Sequence, residues 1–219
     1  MKTLLSLLLL YCVFALSSCF DTEENRTPPV LKNLVVEFAD YDPATEFAGD
    51  FTFRDNFERM FFEFGYRGSA DPGDLVAEFA YIVKEDALLK APCDGIITRL
   101  EKRSDGDYYI IIQSKKNSHW FTQVDHVLNV TVKKGDEVKA GDVLGNPGNW
   151  NNSVGLGVVE LSVINDKENK NYCPFSYFDP VLRPSYEAKV QKLMDDWEDY
   201  KGDENIYSDF CIDLVYDVN

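Results

Sequence analysis

Only two imidazoles occur in the 219 residues, His119 and His126, and that scarcity bounds the chemistry first. A neutral imidazole serves as general base or metal ligand, so any mechanism needing several of them is closed to this chain. Both lie in His119-Trp-Phe-Thr-Gln-Val-Asp-His-Val127, which reads as a strand. Asp125 and His126, as neighbours on a strand, are expected on opposite faces. The odd spacing of seven between His119 and His126 separates them as well, unless a bulge intervenes. There is no Gly-rich phosphate loop, no Gly-x-Ser-x-Gly, and no Cys paired with His at a recognisable spacing. Asp195-Asp196 and Glu198-Asp199 read as the solvated face of a helix rather than a cation site. Trp150 stands out differently. It sits in the turn-forming run Asn146-Pro-Gly-Asn-Trp-Asn-Asn-Ser153, where a large aromatic has no obvious core to join, so it is a candidate ligand contact.

The elements that must position these residues are mostly strands. In Val132-Lys-Lys-Gly-Asp-Glu-Val-Lys-Ala-Gly-Asp-Val-Leu-Gly145 two Gly-Asp pairs lie six residues apart with no helical periodicity. Gly takes the positive φ of a tight turn and Asp bonds the turn backbone beside it. Ala91-Pro-Cys-Asp-Gly95 is another turn, opening the strand Ile96–Leu100, which pairs as a hairpin with Tyr108–Gln113 around Arg103-Ser-Asp-Gly-Asp107. Further strands are expected at Leu34–Phe38, Phe51–Phe53, Phe79–Val83, Val158–Ile164 and Cys211–Tyr216. Phe57, Met60, Phe61 and Phe64 fall at helical spacing and slightly favour a short helix. The aromatic-rich stretch around them reads as core before ligand platform. Ser185 is expected to cap a helix that buries Tyr186, Val190, Leu193, Met194, Trp197 and Tyr200, with Gly202 ending it.

Ala-Pro-x-Asp-Gly, two strands, Val-Lys-Lys-Gly-Asp-x-Val-x-x-Gly-Asp-x-Leu-Gly, a Gly-rich loop and a final strand together resemble the lysostaphin-like peptidoglycan metallopeptidases. They also resemble the wider duplicated-hybrid-motif and biotinyl-lipoyl-like folds. The resemblance spans roughly Leu75 to Pro180. It implies a mainly β, antiparallel sandwich or barrel-like domain, here with a C-terminal amphipathic α-helix. It also implies a zinc site of His, Asp and His with a further His near the bound water. The first His and Asp of that set would fall near Val76 and Ala80, and the closing His-x-His at Val158-Val159-Glu160. Only His126, at its fixed distance before Gly135, keeps the residue type, and Glu160 replaces one ligand.

The expected role is therefore a non-catalytic binding or regulatory module, with His126, Glu160, Trp120 and Trp150 lining the old cleft and no cofactor, zinc included. A His126–Glu160 polar pair is read first as structural, second as groove lining. The rival is a zinc metalloendopeptidase with substituted ligands, built from His126 and Glu160 with Asp125 or His119. A biotinyl or lipoyl carrier is set aside, because Lys115-Lys116 lacks the Met-Lys-Met setting.

Address and partners come from the ends and the charge. Residues 1–18 read as a signal peptide, and Leu16-Ser-Ser-Cys19 resembles a lipobox, implying acylation of Cys19. Residues 19–30 read as an acidic tether, 31–74 as an aromatic-rich β/α region, 75–180 as the peptidase-like β domain and 181–219 as a helix and strand. The expected address is the bacterial envelope, with a membrane anchor at Cys19 and a peptidoglycan or envelope protein partner. A net charge of -16 argues against nucleic acid, whose phosphates demand cations. Export permits disulfides. Cys173 with Cys211 is one possible pair, and a buried unpaired thiol is the alternative for each of Cys93, Cys173 and Cys211.

Overall fold

The computed structural model describes residues 27–68, 75–150 and 155–217. The expected leader, Cys19 and tether through residue 26, and residues 69–74, 151–154 and 218–219, lie outside them. The strands are β1 (Phe47–Ala48), β2 (Phe51–Thr52), β3 (Phe61–Phe62), β4 (Phe79–Lys84), β5 (Leu89–Lys90), β6 (Gly95–Lys102) and β7 (Tyr108–Gln113). They continue with β8 (Trp120–Leu128), β9 (Glu137–Val138), β10 (Val143–Asn149), β11 (Leu156–Asn165), β12 (Lys170–Tyr172) and β13 (Val215–Asp217). Among the described residues one α-helix, α1 (Arg183–Lys201), precedes β13.

The main sheet runs β9-β6-β7-β8-β10-β11-β12-β13, with β8 also pairing β11, β4 on the far edge of β11, β3 on β4 and β5 on β10. All these pairings are antiparallel. The fold is mainly β and sandwich-like, without closing into a barrel. The paired Gly-Asp turns form as their chemistry demands. Gly135 and Gly141 both take φ +96°, Asp136 Oδ2 accepts from Lys133 N, and Asp142 Oδ2 accepts from Lys139 N. They bring the chain back against Ile97 and Ala91 through Gly135 N and Gly141 N.

On β8, Trp120, Thr122, Val124 and Val127 point inward, and Ile110, Ile112, Val159, Leu161 and Val163 meet them from the neighbouring strands. The aromatic N-terminal stretch supplies a second layer of the same core. Phe51, Phe53, Phe61, Phe64 and Tyr81 are fully buried, and Phe61 stacks on Tyr81. The helix closes this end: Val190, Leu193, Met194 and Trp197 face inward, with Trp197 edge-on to Phe53. Among the described residues no helix is long and apolar enough to cross a membrane.

Several local expectations are corrected. Phe57–Phe64 is not a helix, because pairing of β3 with β4 overrides the helical spacing. Leu34–Phe38 forms no strand: Val35 turns the chain at φ +73° while Leu34, Val35 and Val36 all stay buried. Asn146–Asn149 is strand rather than loop, held between β8 and β11. Helix α1 starts two residues before Ser185, whose hydroxyl donates to Leu182 O inside the first turn instead of capping. The Gly202 stop is as expected, at φ +66°. Only the last part of Cys211–Tyr216 is strand. Cys173 and Cys211 form a disulfide, and Cys93 is a buried thiol against Thr122, its pKa pushed up to about 11 by burial.

Candidate functional site

The cleft is organised by one extra residue in β8. Between β7 and β8, Tyr108 faces Val127 but Ile110 faces Val124, so an additional residue sits on β8 at Asp125-His126. Such a bulge shifts the inward–outward alternation by one and re-aims side chains. His126 takes φ +59° there. Asp125 and His126 therefore point toward the same outer face of the sheet, not to opposite faces. Their donor atoms and that of Glu160 lie within 4.8 Å of one another. At this point β8 also changes neighbour, from β11 at Asp125 to β10 at Val127, which opens a recess.

The strongest partner of His126 is Asp107. Nδ1 meets Asp107 Oδ2 at 2.7 Å, and with Asp107 ionised the imidazole is the donor. Glu160 is farther off, 3.7 Å from Nε2, so the expected His126–Glu160 pair is a loose contact and not a hydrogen bond. Gly148 lets β10 pass close by: a Cβ there would lie 2.7 Å from Asp107 Oδ2 and 3.0 Å from His126 Cβ.

Arg103, from the β6–β7 turn, ties the acids together. Its Nη1 donates to Asp125 Oδ2 at 2.6 Å, and its Nε lies 3.6 Å from carboxylate oxygens of both Asp105 and Asp107. Burial works against the guanidinium charge, but Asp125, Asp105 and Asp107 outweigh it and hold the pKa above its ordinary value. Asp125 Oδ1 in turn accepts from His126 N. On the opposite wall, Glu78 Oε2 accepts from Ser162 Oγ at 2.8 Å, and the Glu160 carboxyl donates to Glu78. Burial first, then the charges of Glu78 and Asp125, push Glu160 up to about 8. That upward shift favours the protonated, donating form of Glu160. Asp107 is raised as well, by burial, against the pull of His126.

Asp105, Asp107, His126 and Glu160 line a pocket of about 250 Å3 with Leu128, Asn149, Trp150 and Val158. Of the four residues expected in the cleft, His126, Glu160 and Trp150 are brought together. Trp150 is half-buried and packs on the core rim. Trp120 is not in the cleft: it points inward, 8% exposed, against Tyr172 and Tyr177. His119 is also elsewhere, paired with Asp166 at 3.2 Å, because seven residues of strand span roughly 20 Å. Asp107, Arg103 and Glu78 were not anticipated. The only signal for the first two was the charged hairpin turn, and Glu78 gave none.

Residues 79–169 match the family model described as Peptidase family M23. Residues 79–169 are a peptidase M23 domain of the lysostaphin-like kind. Among solved structures, a variant of the catalytic domain of the prophage-encoded M23 protein EnpA from Enterococcus faecalis is 23% identical, over 53% of this chain and 91% of that one, at a TM-score of 0.44. Lysostaphin from Staphylococcus simulans is 18% identical, over 60% of this chain and 52% of that one, at 0.45. Csd3 from Helicobacter pylori is 16% identical, over 86% and 45%, at 0.43. No curated protein sequence matches the chain. Within this M23 domain Ala80, which stands where the resemblance calls for a carboxylate, pairs in register with Glu160. Paired residues on antiparallel strands share a face, so the Ala80 methyl lies beside Glu160 on that face.

Proposed function

We propose that the chain is an exported envelope lipoprotein, acylated at Cys19, whose M23 domain binds peptidoglycan, a peptide or a protein partner in the cleft without hydrolysing it. The observation that carries this reading is the Arg103 guanidinium, 2.6 Å from Asp125 Oδ2 and flanked by Asp105 and Asp107. It stands among the carboxylates as a built-in cation. Zinc, the group the family implies, would supply a Lewis acid and an activated water when bound. The residues present do not fit it. Asp125 is engaged by Arg103, Asp107 is taken up by His126 Nδ1, and Val76 and Ala80 offer no side-chain donor atom.

The cleft suits recognition instead. Trp150 offers an aromatic face, Glu160 a donor, and the exposed carboxylate of Asp105 favours a ligand amine. A second reading, a metalloendopeptidase with substituted ligands, is favoured by proximity: Asp125, His126 and Glu160, and likewise Asp105, Asp107 and His126, are close enough to share an ion. Elemental analysis of the purified protein, with a digest of cross-linked peptidoglycan, separates the two. The binding reading expects no stoichiometric zinc, no released fragments, and retention on peptidoglycan or a co-purified envelope partner. Stoichiometric zinc that disappears in His126→Ala, together with cleavage, would replace it with the enzyme.

A further inference from the structure

A larger pocket, about 680 Å3, lies at the other end of the same sheet face. Its placement follows from the alternation of β8: Phe121 points outward, as His126 does beyond the bulge. Ile96 from β6, the nearly buried Ile111 from β7 and Phe121 form an apolar floor. Arg99, Lys116 and Lys134 stand around it. Such a size suits a ligand site, and a cupped apolar floor with a few charged groups at its margin is the usual design.

Two features point to the ligand. First, the rim gathers three cations in a chain whose formal net charge is -16. Lys116 and Lys134 have no hydrogen-bond or ion-pair partner among the described residues, whereas Arg99 meets Glu101 at 3.5 Å and the Tyr109 hydroxyl. The one carboxylate at the margin, Asp166, is engaged by His119. Positive charge here is therefore offered outward. Second, β9 pairs with β6 only at Gly95 and Ile96, so from Thr98 to Lys102 the outer edge of β6 has no strand partner among the described residues. The β6–β7 register shifts between Ile97 and Arg99, and Thr98 and Arg99 at this edge line the pocket. Free edge groups of a strand accept an extended chain.

We propose that this pocket is a second binding site, for an extended acidic peptide. Apolar side chains rest on Ile96, Ile111 and Phe121, carboxylates meet Arg99, Lys116 and Lys134, and the peptide backbone runs along the free edge of β6. The site is independent of the acidic cleft and of any reading of it.

The test uses the full chain and two dye-labelled peptides of equal length with blocked termini, one alternating Leu and Glu, the other Leu and Lys, followed by fluorescence anisotropy. The Leu–Glu peptide is expected to bind at least about ten-fold more tightly than the Leu–Lys peptide, against what the net charge alone would give. Lys116→Glu with Lys134→Glu is expected to weaken it by about ten-fold or more, and Lys116→Ala or Lys134→Ala singly by about two- to three-fold. Both lysines are exposed, and thermal unfolding checks that each variant folds; if the double variant does not, the single ones decide. Equal binding of the two peptides, no binding of the Leu–Glu peptide, or binding indifferent to these substitutions would overturn the proposal.

Discussion

Two pockets share the outer face of one strand and use charge in opposite ways. Around His126 the charged groups are spent on one another: Arg103 on three aspartates, Asp107 on the imidazole, and one proton held between Glu160 and Glu78. Around Phe121 the cations reach past the protein, and Lys116 and Lys134 meet no partner among the described residues. A cluster of ionisable residues is thus no measure of what a surface offers a ligand. The acidic cleft contains more charges, yet the network is nearly closed, and what it presents is chiefly an indole face, one protonated carboxyl and the outer edge of Asp105. The basic pocket has fewer charges and leaves them available.

The contrast is tested most severely at Arg103. Asp107 and Asp125 are 6% and 4% exposed, so removing their shared counter-charge leaves two buried carboxylates uncompensated. Arg103→Ala is expected to lower unfolding free energy by about 2 kcal/mol, less than for a fully enclosed pair because the Arg103 side chain is 37% exposed. Urea titration measures it, and a loss near zero would mean the cleft charges are not a closed network. The same variant frees carboxylates for a cation, so added zinc should raise its melting temperature more than that of the parent protein.

Next comes Glu160, with a definite sign. Its folded pKa, about 8, lies above the ordinary 4.5, so the folded state holds a proton that the unfolded chain gives up. Stability then falls as pH rises from about 4.5 toward 8, the opposite of a salt-bridged carboxylate. Glu160→Gln removes the titration and keeps a donor. It is expected to flatten the pH dependence and to gain on the order of 1–2 kcal/mol at pH 8 with little change at pH 4.5. Urea titrations at the two pH values decide it; a pH slope as steep in the variant as in the parent protein would show that the proton sits elsewhere.

Most of the frame was readable from residue order, and the reason is local. Gly135-Asp136, Gly141-Asp142 and Ala91–Gly95 each carry their own turn chemistry, so the strands between them had little freedom. The hairpin of β6 and β7 and the Gly202 stop were legible for the same reason. What escaped depended on distant pairing. The bulge that joins Asp125 to His126 exists because β8 is held by β7 on one edge and exchanges β11 for β10 on the other, which no window of sequence records. Arg103 and Glu78 reach the cleft across such pairings, so their types were visible and their meeting was not. Trp120 failed for a plainer reason. Its inward direction follows the strand's alternation, and Tyr172 and Tyr177 gave it a core to join.

The two smaller effects mark how each pocket would use its residues. Trp150 is half-buried on the core rim, so Trp150→Ala should cost about 1 kcal/mol of stability or less. It should, however, weaken retention on cross-linked peptidoglycan or an envelope partner by about three- to ten-fold, as loss of one stacking face implies. Lys116→Ala and Lys134→Ala should leave stability within about 0.5 kcal/mol of the parent, because neither lysine touches anything the fold depends on. Thermal and urea unfolding of the two lysine variants beside Arg103→Ala then ranks the regions directly. Cations committed to the fold are costly to remove, and cations held out to a ligand are not. A lysine variant as damaging as Arg103→Ala would mean that the basic rim is structural, and the contrast between the pockets would vanish.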